Sequence, residues 1–435
     1  MPGLWERDPP FPYLPGEDRT KSRSIGGVVH GHLVNSVSIP QPHPSLTFLD
    51  VQSQRRLFYT TDRMRDLVVG AAEHVRDHHP EAVVRLGNFG NPGGGDIPYS
   101  VSHNSGRDAD LAFFMLGPDG EPAVPEDLAP LDRQGHYETD FGTYRFDTAR
   151  NWRLIEGLIE EGGDQLQYIF VSRPLRRKLL AEARRVGADR EVRRRARALL
   201  HQPYGSLPHD DHFHLRIYCS AIDVASGCWD RGTEHRWYAP HRRARRRAID
   251  RAREALDAEA VEVRVAGARR LGMIGRRAQA DPLVEALEDP ASRVRAAAAR
   301  ALGELESGTD ALAGRLDEES DDQAYLEVVD ALSRIGGDRA VDALTEQLER
   351  ERRLSLPARL ETDARTFVAE GLIRLEDGRP VEQLVGLLES ESSSVRRASK
   401  RALNFLTNQR LVESAETPDN DRIAEAWESW LEEHA

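Results

Sequence analysis

The feature that most constrains this chain is an internal repeat running from about residue 256 to 410. One helical pattern recurs as VRVAGARRLGMIG (263–275), VRAAAARALGELE (294–306), AYLEVVDALSRIG (324–336), FVAEGLIRL (367–375) and VRRASKRALNFL (395–406). The equivalent leucines are Leu271, Leu302, Leu332, Leu372 and Leu403, spaced by 31, 30, 40 and 31 residues, and the long step accommodates an insertion near 351–363. Between them stand ADPLVEALED, TDALAGRLDE, VDALTEQLER and VEQLVGLLES, so each unit is a pair of short amphipathic helices. One pair cannot bury its apolar stripe alone, whereas stacked pairs share a continuous core, so this half of the chain is expected to be an α-solenoid.

The repeat resembles the short HEAT type, a likeness that concerns fold and is nearly silent on function. The tail Asp421 to Glu433, with Trp427 and Trp430, reads as a closing helix. With 435 residues, there is room for two or three domains. The expected division is an N-terminal extension (1–23), an α+β domain (24–236), a basic helical linker (237–255), the repeats (256–412) and a capping helix (413–435). The Arg run HRRARRRAIDRAR (241–253) reads as a solvated helix, because acidic helices follow it and the net charge of −13 argues against general nucleic-acid binding. No apolar run approaches the roughly 18 residues a membrane-spanning helix needs. No cationic stretch followed by an apolar one opens the chain, so a secretory signal is expected to be absent or removed.

The first half mixes element types. Leu57 to His79, Asn151 to Glu161 and Arg173 to Val186 have helical spacing, the last strongly basic. Val83 to Leu86, Ala109 to Met115, Gln167 to Val171 and His212 to Tyr218 read as strands. A small antiparallel sheet with flanking helices is expected.

Two segments concentrate the chemistry, SHNSGRDAD (102–110) and HDDHFHLRI (209–217). His212 and His214 sit two apart in a strand, so both imidazoles leave the same face while Phe213 and Leu215 enter a core. His103 closes a Gly-rich loop and Asp110 opens an apolar strand. These two with one strand histidine make two imidazoles and one carboxylate, the open ligand set of a catalytic zinc with the fourth position left for water. Asp108 is the alternative carboxylate, with Asp110 capping the loop. A second His-x-His, His30-Gly31-His32, has no acidic neighbour and reads as filler. Gly93 to Gly95 lacks the Lys-Ser/Thr of a phosphate loop and reads as a groove wall. Ser105 and Ser206 lack any nucleophile arrangement, and His78 and His79 read as a solvated helix end. Cys219 and Cys228 read either as two buried thiols or as a local disulfide, which would imply an oxidising compartment.

With the flanks SIGG (24–27), GNFGNPGGGDIPYSVSH (87–103) and FDTARNW (146–152), these motifs resemble the penicillin-insensitive murein endopeptidases. That family belongs to the zinc peptidases that include lysostaphin-type enzymes and D-alanyl-D-alanine carboxypeptidases. The resemblance covers about 24 to 230 and implies one zinc ion on His103, Asp110 and His214. It implies His212 as the catalytic histidine, His209 as a further active-site histidine, and a bridge between Cys219 and Cys228. The implied reaction is hydrolysis of the D-alanyl–diaminopimelate amide in peptidoglycan cross-links, insensitive to penicillin, in the periplasm or outside the cell. Other cysteines found in enterobacterial members are missing. Two further readings stand beside this one: a D,D- or L,D-carboxypeptidase using the same site, and a scaffold whose repeats hold a partner protein beside a non-catalytic peptidase-like module.

Overall fold

The computed structural model describes residues 11–124, 127–203, 207–356, 360–409, 411 and 420–434. Ser206, the first residues of the N-terminal extension (1–10), the last residue of the expected repeats (412) and part of the expected capping segment (413–419 and 435) lie outside them. The chain forms two compact units, residues 18–247 and residues 1–17 with 248–435.

In the first unit a six-stranded sheet carries the site. Its spatial order is Leu200–His201, Leu166–Phe170, His212–Ile217, Asp108–Ala112, Val84–Leu86 and Leu46–Phe48. The sheet is mixed, not purely antiparallel: both edge strands pair parallel to their neighbours. Phe213, Leu215 and Ile217 from one central strand, and Ala109 and Leu111 from the next, are fully buried in one core. The helices Asp62–His78 and Thr148–Gly162 pack against each other and supply Met64, Leu67, Val68, Trp152, Ile155 and Leu158 to that core. One sheet face is therefore covered by helices, and alternation sends His212, His214, Asp108 and Asp110 to the other.

Two expected boundaries move, each for a local reason, and one helix appears that was not expected. The helix expected over 57–79 begins at Asp62, not Leu57, because Thr61 caps it by accepting a bond from the Met64 amide at 3.2 Å. The apolar run 109–115 is not one strand. It leaves the sheet after Ala112, and the side chain of Asn151 replaces the ladder by bonding both the amide (3.0 Å) and the carbonyl (2.8 Å) of Phe114. Met115–Leu116 then joins a separate four-stranded sheet formed by residues 115–146. A further helix, Arg190–Leu199, capped by Asp189, is absent from the sequence reading.

In the second unit the repeat helices fall where the pattern puts them: Val261–Ile274, Ser292–Leu305, Asp322–Ile335, Arg365–Ile373 and Ser393–Leu406. All five repeat leucines are 0% exposed and share one core. The insertion forms a two-stranded hairpin, Arg353–Leu356 with Leu360–Asp363. The closing helix is Asn420–His434, with Trp427 fully buried. Leu14, far away in sequence, joins this core.

Candidate metal centre

The geometry of the site follows from strand register. His214 stands directly opposite Asp110, His212 opposite Ala112, and Arg216 opposite Asp108. Asp110 Oδ1 lies 3.4 Å from His103 Nε2, 3.3 Å from His212 Nε2 and 3.1 Å from His214 Nδ1. One carboxylate oxygen thus faces three imidazole nitrogens at the surface of the sheet. The other oxygen of Asp110 accepts from Asn88 Nδ2 at 3.0 Å.

The surroundings orient these groups. Asp108 Oδ1 accepts from His214 Nε2 at 3.0 Å and from Arg216 Nε at 2.6 Å. Because that carboxylate can only accept, His214 donates from Nε2, which leaves Nδ1 as the atom that would ligate a cation standing between it and Asp110. Burial works against charge on Asp108, but Arg216 and His214 overcome it and hold the carboxyl far below its usual range. Asp110 is held well below that range too, its burial outweighed by His103 and His212. Burial likewise opposes charge on His212, and Asp110 with Asp211 outweighs it, raising that imidazole to about 10. His209 goes the other way: burial first, then His214 and His212, lower it to about 4.

The loop that delivers His103 is tightly held. His103 has φ of 79°, a left-handed conformation unusual for a non-glycine residue. Its amide donates to Asp108 Oδ2 at 3.4 Å, and further along the same loop Arg107, almost wholly buried, donates to Ser24 Oγ, the Ile217 and Trp229 carbonyls and Asp230 Oδ1. Gly87 lies behind the site, where a Cβ would meet Asp110 Cβ at 2.8 Å, so only glycine lets these two strands approach. His209 is also left-handed (φ 53°). Its Nδ1 donates to the Leu207 carbonyl at 2.9 Å, and its ring lies 5.4 Å from that of His212 and 5.5 Å from that of Phe170.

Among the described residues, two groups of side chains bring ligand atoms within 4.8 Å of one another: His103, Asp110 and His214, and His209, His212 and His214. The first fits a divalent cation better. It contains an anion, it is wholly buried, and its atoms lack partners: both ring nitrogens of His103 and Asp110 Oδ1 make no hydrogen bond. Buried polar atoms without partners are costly, and a shared cation would satisfy His103 Nε2 and Asp110 Oδ1, which face each other at 3.4 Å. Ser105 is buried with its hydroxyl unpartnered, so nothing activates it as a nucleophile. His30 and His32 are exposed, as is His78.

Residues 24–232 match the family of penicillin-insensitive murein endopeptidases. Residues 249–325 match HEAT repeats. The first match supports murein endopeptidase activity in general terms. No curated protein matches the chain. Similar solved structures include the complex of CpcE and CpcF of phycocyanin lyase from Nostoc sp. PCC7120, at 23% identity and a TM-score of 0.32, covering 41% of this chain and 68% of that one. A designed armadillo repeat protein follows at 16% and 0.27, covering 38% and 86%. Human deoxyhypusine hydroxylase in complex with glycerol gives 20% and 0.20, covering 45% and 90%.

Three residues that support the site carry no expectation from the sequence: Asn88, Arg107 and Arg216. Arg216 had a signal, since it shares the alternation of His212 and His214. Asn88 and Arg107 had none beyond standing inside the quoted motifs, because their partners lie on distant segments. Cys219 and Cys228 are joined as a disulfide.

Proposed function

We propose that the chain is a zinc-dependent endopeptidase that hydrolyses the D-alanyl–diaminopimelate amide of peptidoglycan cross-links. The observation that carries this reading is the meeting of His103, Asp110 and His214 in one buried cradle. These three side chains would hold the ion, leaving a coordination position open. An ion held there would supply Lewis acidity toward the scissile carbonyl and would lower the pKa of a bound water. The chain's own groups do the rest. Asp108 and Asn88 fix the ligating atoms of His214 and Asp110. His212, its Nδ1 2.7 Å from Asp211 Oδ1, presents Nε2 to the site and stabilises the oxyanion of the tetrahedral state. His209, on the rim and neutral by its burial, exchanges the proton that must reach the leaving amine. Penicillin has no acyl-enzyme serine to trap here. The substrate and the disulfide both favour a periplasmic or extracellular setting. For the repeat unit the proposal is a protein-binding face, the usual role of a solenoid.

The test compares wild type with His214→Ala for zinc content and for release of soluble muropeptides from purified sacculi. Loss of the ion together with a rate drop of about a thousandfold or more is expected. Equal digestion by both proteins ends this reading. Product masses from cross-linked dimers separate endopeptidase from carboxypeptidase cleavage.

A further inference from the structure

Outside the metal cradle, the same unit holds a pocket of about 330 Å³ whose walls are cationic. It is lined by Arg173, Arg176 and Arg177 from one helix, Arg197 from the next, and His201 and Gln202 beyond it. Among the described residues no carboxylate lies within ion-pair distance of these four guanidinium groups. The acids of the two helices are engaged elsewhere, Glu182 by Arg185 and Glu191 by Arg194. Arg176 is fixed in place, donating to the Leu200 carbonyl at 2.8 Å and the Arg197 carbonyl at 2.9 Å. Burial, then Arg176 and Arg173, lowers the pKa of His201, so the pocket's charge is carried by guanidinium alone. Four like charges around one cavity repel one another, and an anion relieves that repulsion.

The pocket lies close to the chemistry. The Phe170 ring is 6.2 Å from that of His201 on one side and 5.5 Å from that of His209 on the other. The backbone repeats the connection: the Val171 amide donates to the His201 carbonyl at 2.9 Å, and the Ser172 amide to the His209 carbonyl at 2.8 Å. We propose that this pocket is a specificity subsite that takes a free carboxylate of the cross-linked peptide, one aromatic ring away from the reacting centre. The proposal rests on the peptidase reading. Guanidinium suits the task because its planar fork pairs with both oxygens of a carboxylate.

The test uses the full chain and the free, uncross-linked tetrapeptide stem, which carries the carboxylates but not the D-alanyl–diaminopimelate cross-link. Calorimetry compares it with the same peptide converted to carboxamides. Wild type should bind the acid form about tenfold more tightly, and Arg177→Gln combined with Arg197→Gln should erase the difference. Both arginines are exposed, so folding should survive the exchange, and the acid–amide comparison on wild type needs no variant at all. Equal binding of the two peptides, or a preference that persists in the double variant, overturns the subsite. Tighter binding of inorganic phosphate than of the acid peptide also overturns it and assigns the pocket to a phosphate ligand. Acid-selective binding without any digestion of sacculi would sink the peptidase reading and leave the subsite standing. Digestion of acid and amidated dimers at equal kcat/KM would do the reverse.

Discussion

Asp108 shows how much of this site hangs on a side chain outside the proposed ligand set. Its Oδ1 holds both His214 and Arg216, and its Oδ2 lies 3.4 Å from the His103 amide. Asp108→Asn keeps the volume but weakens the acceptor that sets the His214 tautomer. Zinc affinity is expected to fall about 10- to 100-fold with the circular-dichroism spectrum unchanged, read by competition with a chelating dye. Gly87→Ala acts from behind, pushing a methyl group into Asp110. It should cost about 1–3 kcal/mol in denaturant unfolding and weaken zinc binding at the same time. The histidines and aspartates were legible because alternation along one strand and a loop-to-strand junction are local patterns. Asn88 and Arg107 were not, since Asn88 reaches Asp110 only through strand pairing, and Arg107 bonds residues more than eighty positions away on either side.

Among the elements, register matters more than identity. A slip of one residue between His212–Ile217 and Asp108–Ala112 would turn either the histidines or the carboxylates into the core. Helix and strand types followed from periodicity, but the break after Ala112 did not, because Phe113 and Phe114 continue the apolar run that a strand would show. The end is set by Asn151, which belongs to another element. In the repeat unit, Arg295 of helix Ser292–Leu305 reaches Glu319, just past helix Thr309–Glu318, at 2.7 and 2.8 Å. Burial works against ionisation of Glu319, but the Arg295 pairing and the Asp321 amide overcome it and hold the carboxyl at about 2. A depressed folded-state pKa adds stability that is complete above the ordinary value and is lost as pH falls toward the folded one. Wild type should therefore lose stability between about pH 4.5 and pH 2. Arg295→Ala should lower stability near neutral pH by about 3 kcal/mol and flatten that acid dependence, as denaturant midpoints at several pH values would show.

At the scale of the whole chain, the N-terminal segment contributes to the unit farthest from it in sequence. Arg270, with no exposed surface, donates to the Pro12 carbonyl at 2.8 Å and to Glu17 at 2.9 and 3.1 Å, beneath the ring of Phe11. Deleting residues 1–17 strips a buried cation of its acceptors, a loss of about 3–5 kcal/mol. Hydrogen exchange should accelerate in helix Val261–Ile274 and stay unchanged in strand Asp108–Ala112, and Arg270→Met in the deleted chain should recover part of the loss. Faster exchange in the strand as well would show that the segment serves both units. The sequence set residues 1–23 apart as an extension, and nothing local says that Leu14 completes the core of the repeat unit.

Periodicity carried the solenoid, because five leucines recurring at helical-pair spacing have one economical way to leave water. Alternation likewise carried the pairing of imidazoles on a strand face, and the resemblance of two short motifs carried the chemistry to expect. Three-dimensional pairing alone placed Asp110 between three imidazoles, gathered four arginines from two helices around one pocket, and tied residues 11–17 to the repeats. Contacts of that kind arise when strands and helices close long loops, and their partners leave no pattern in any short window of sequence.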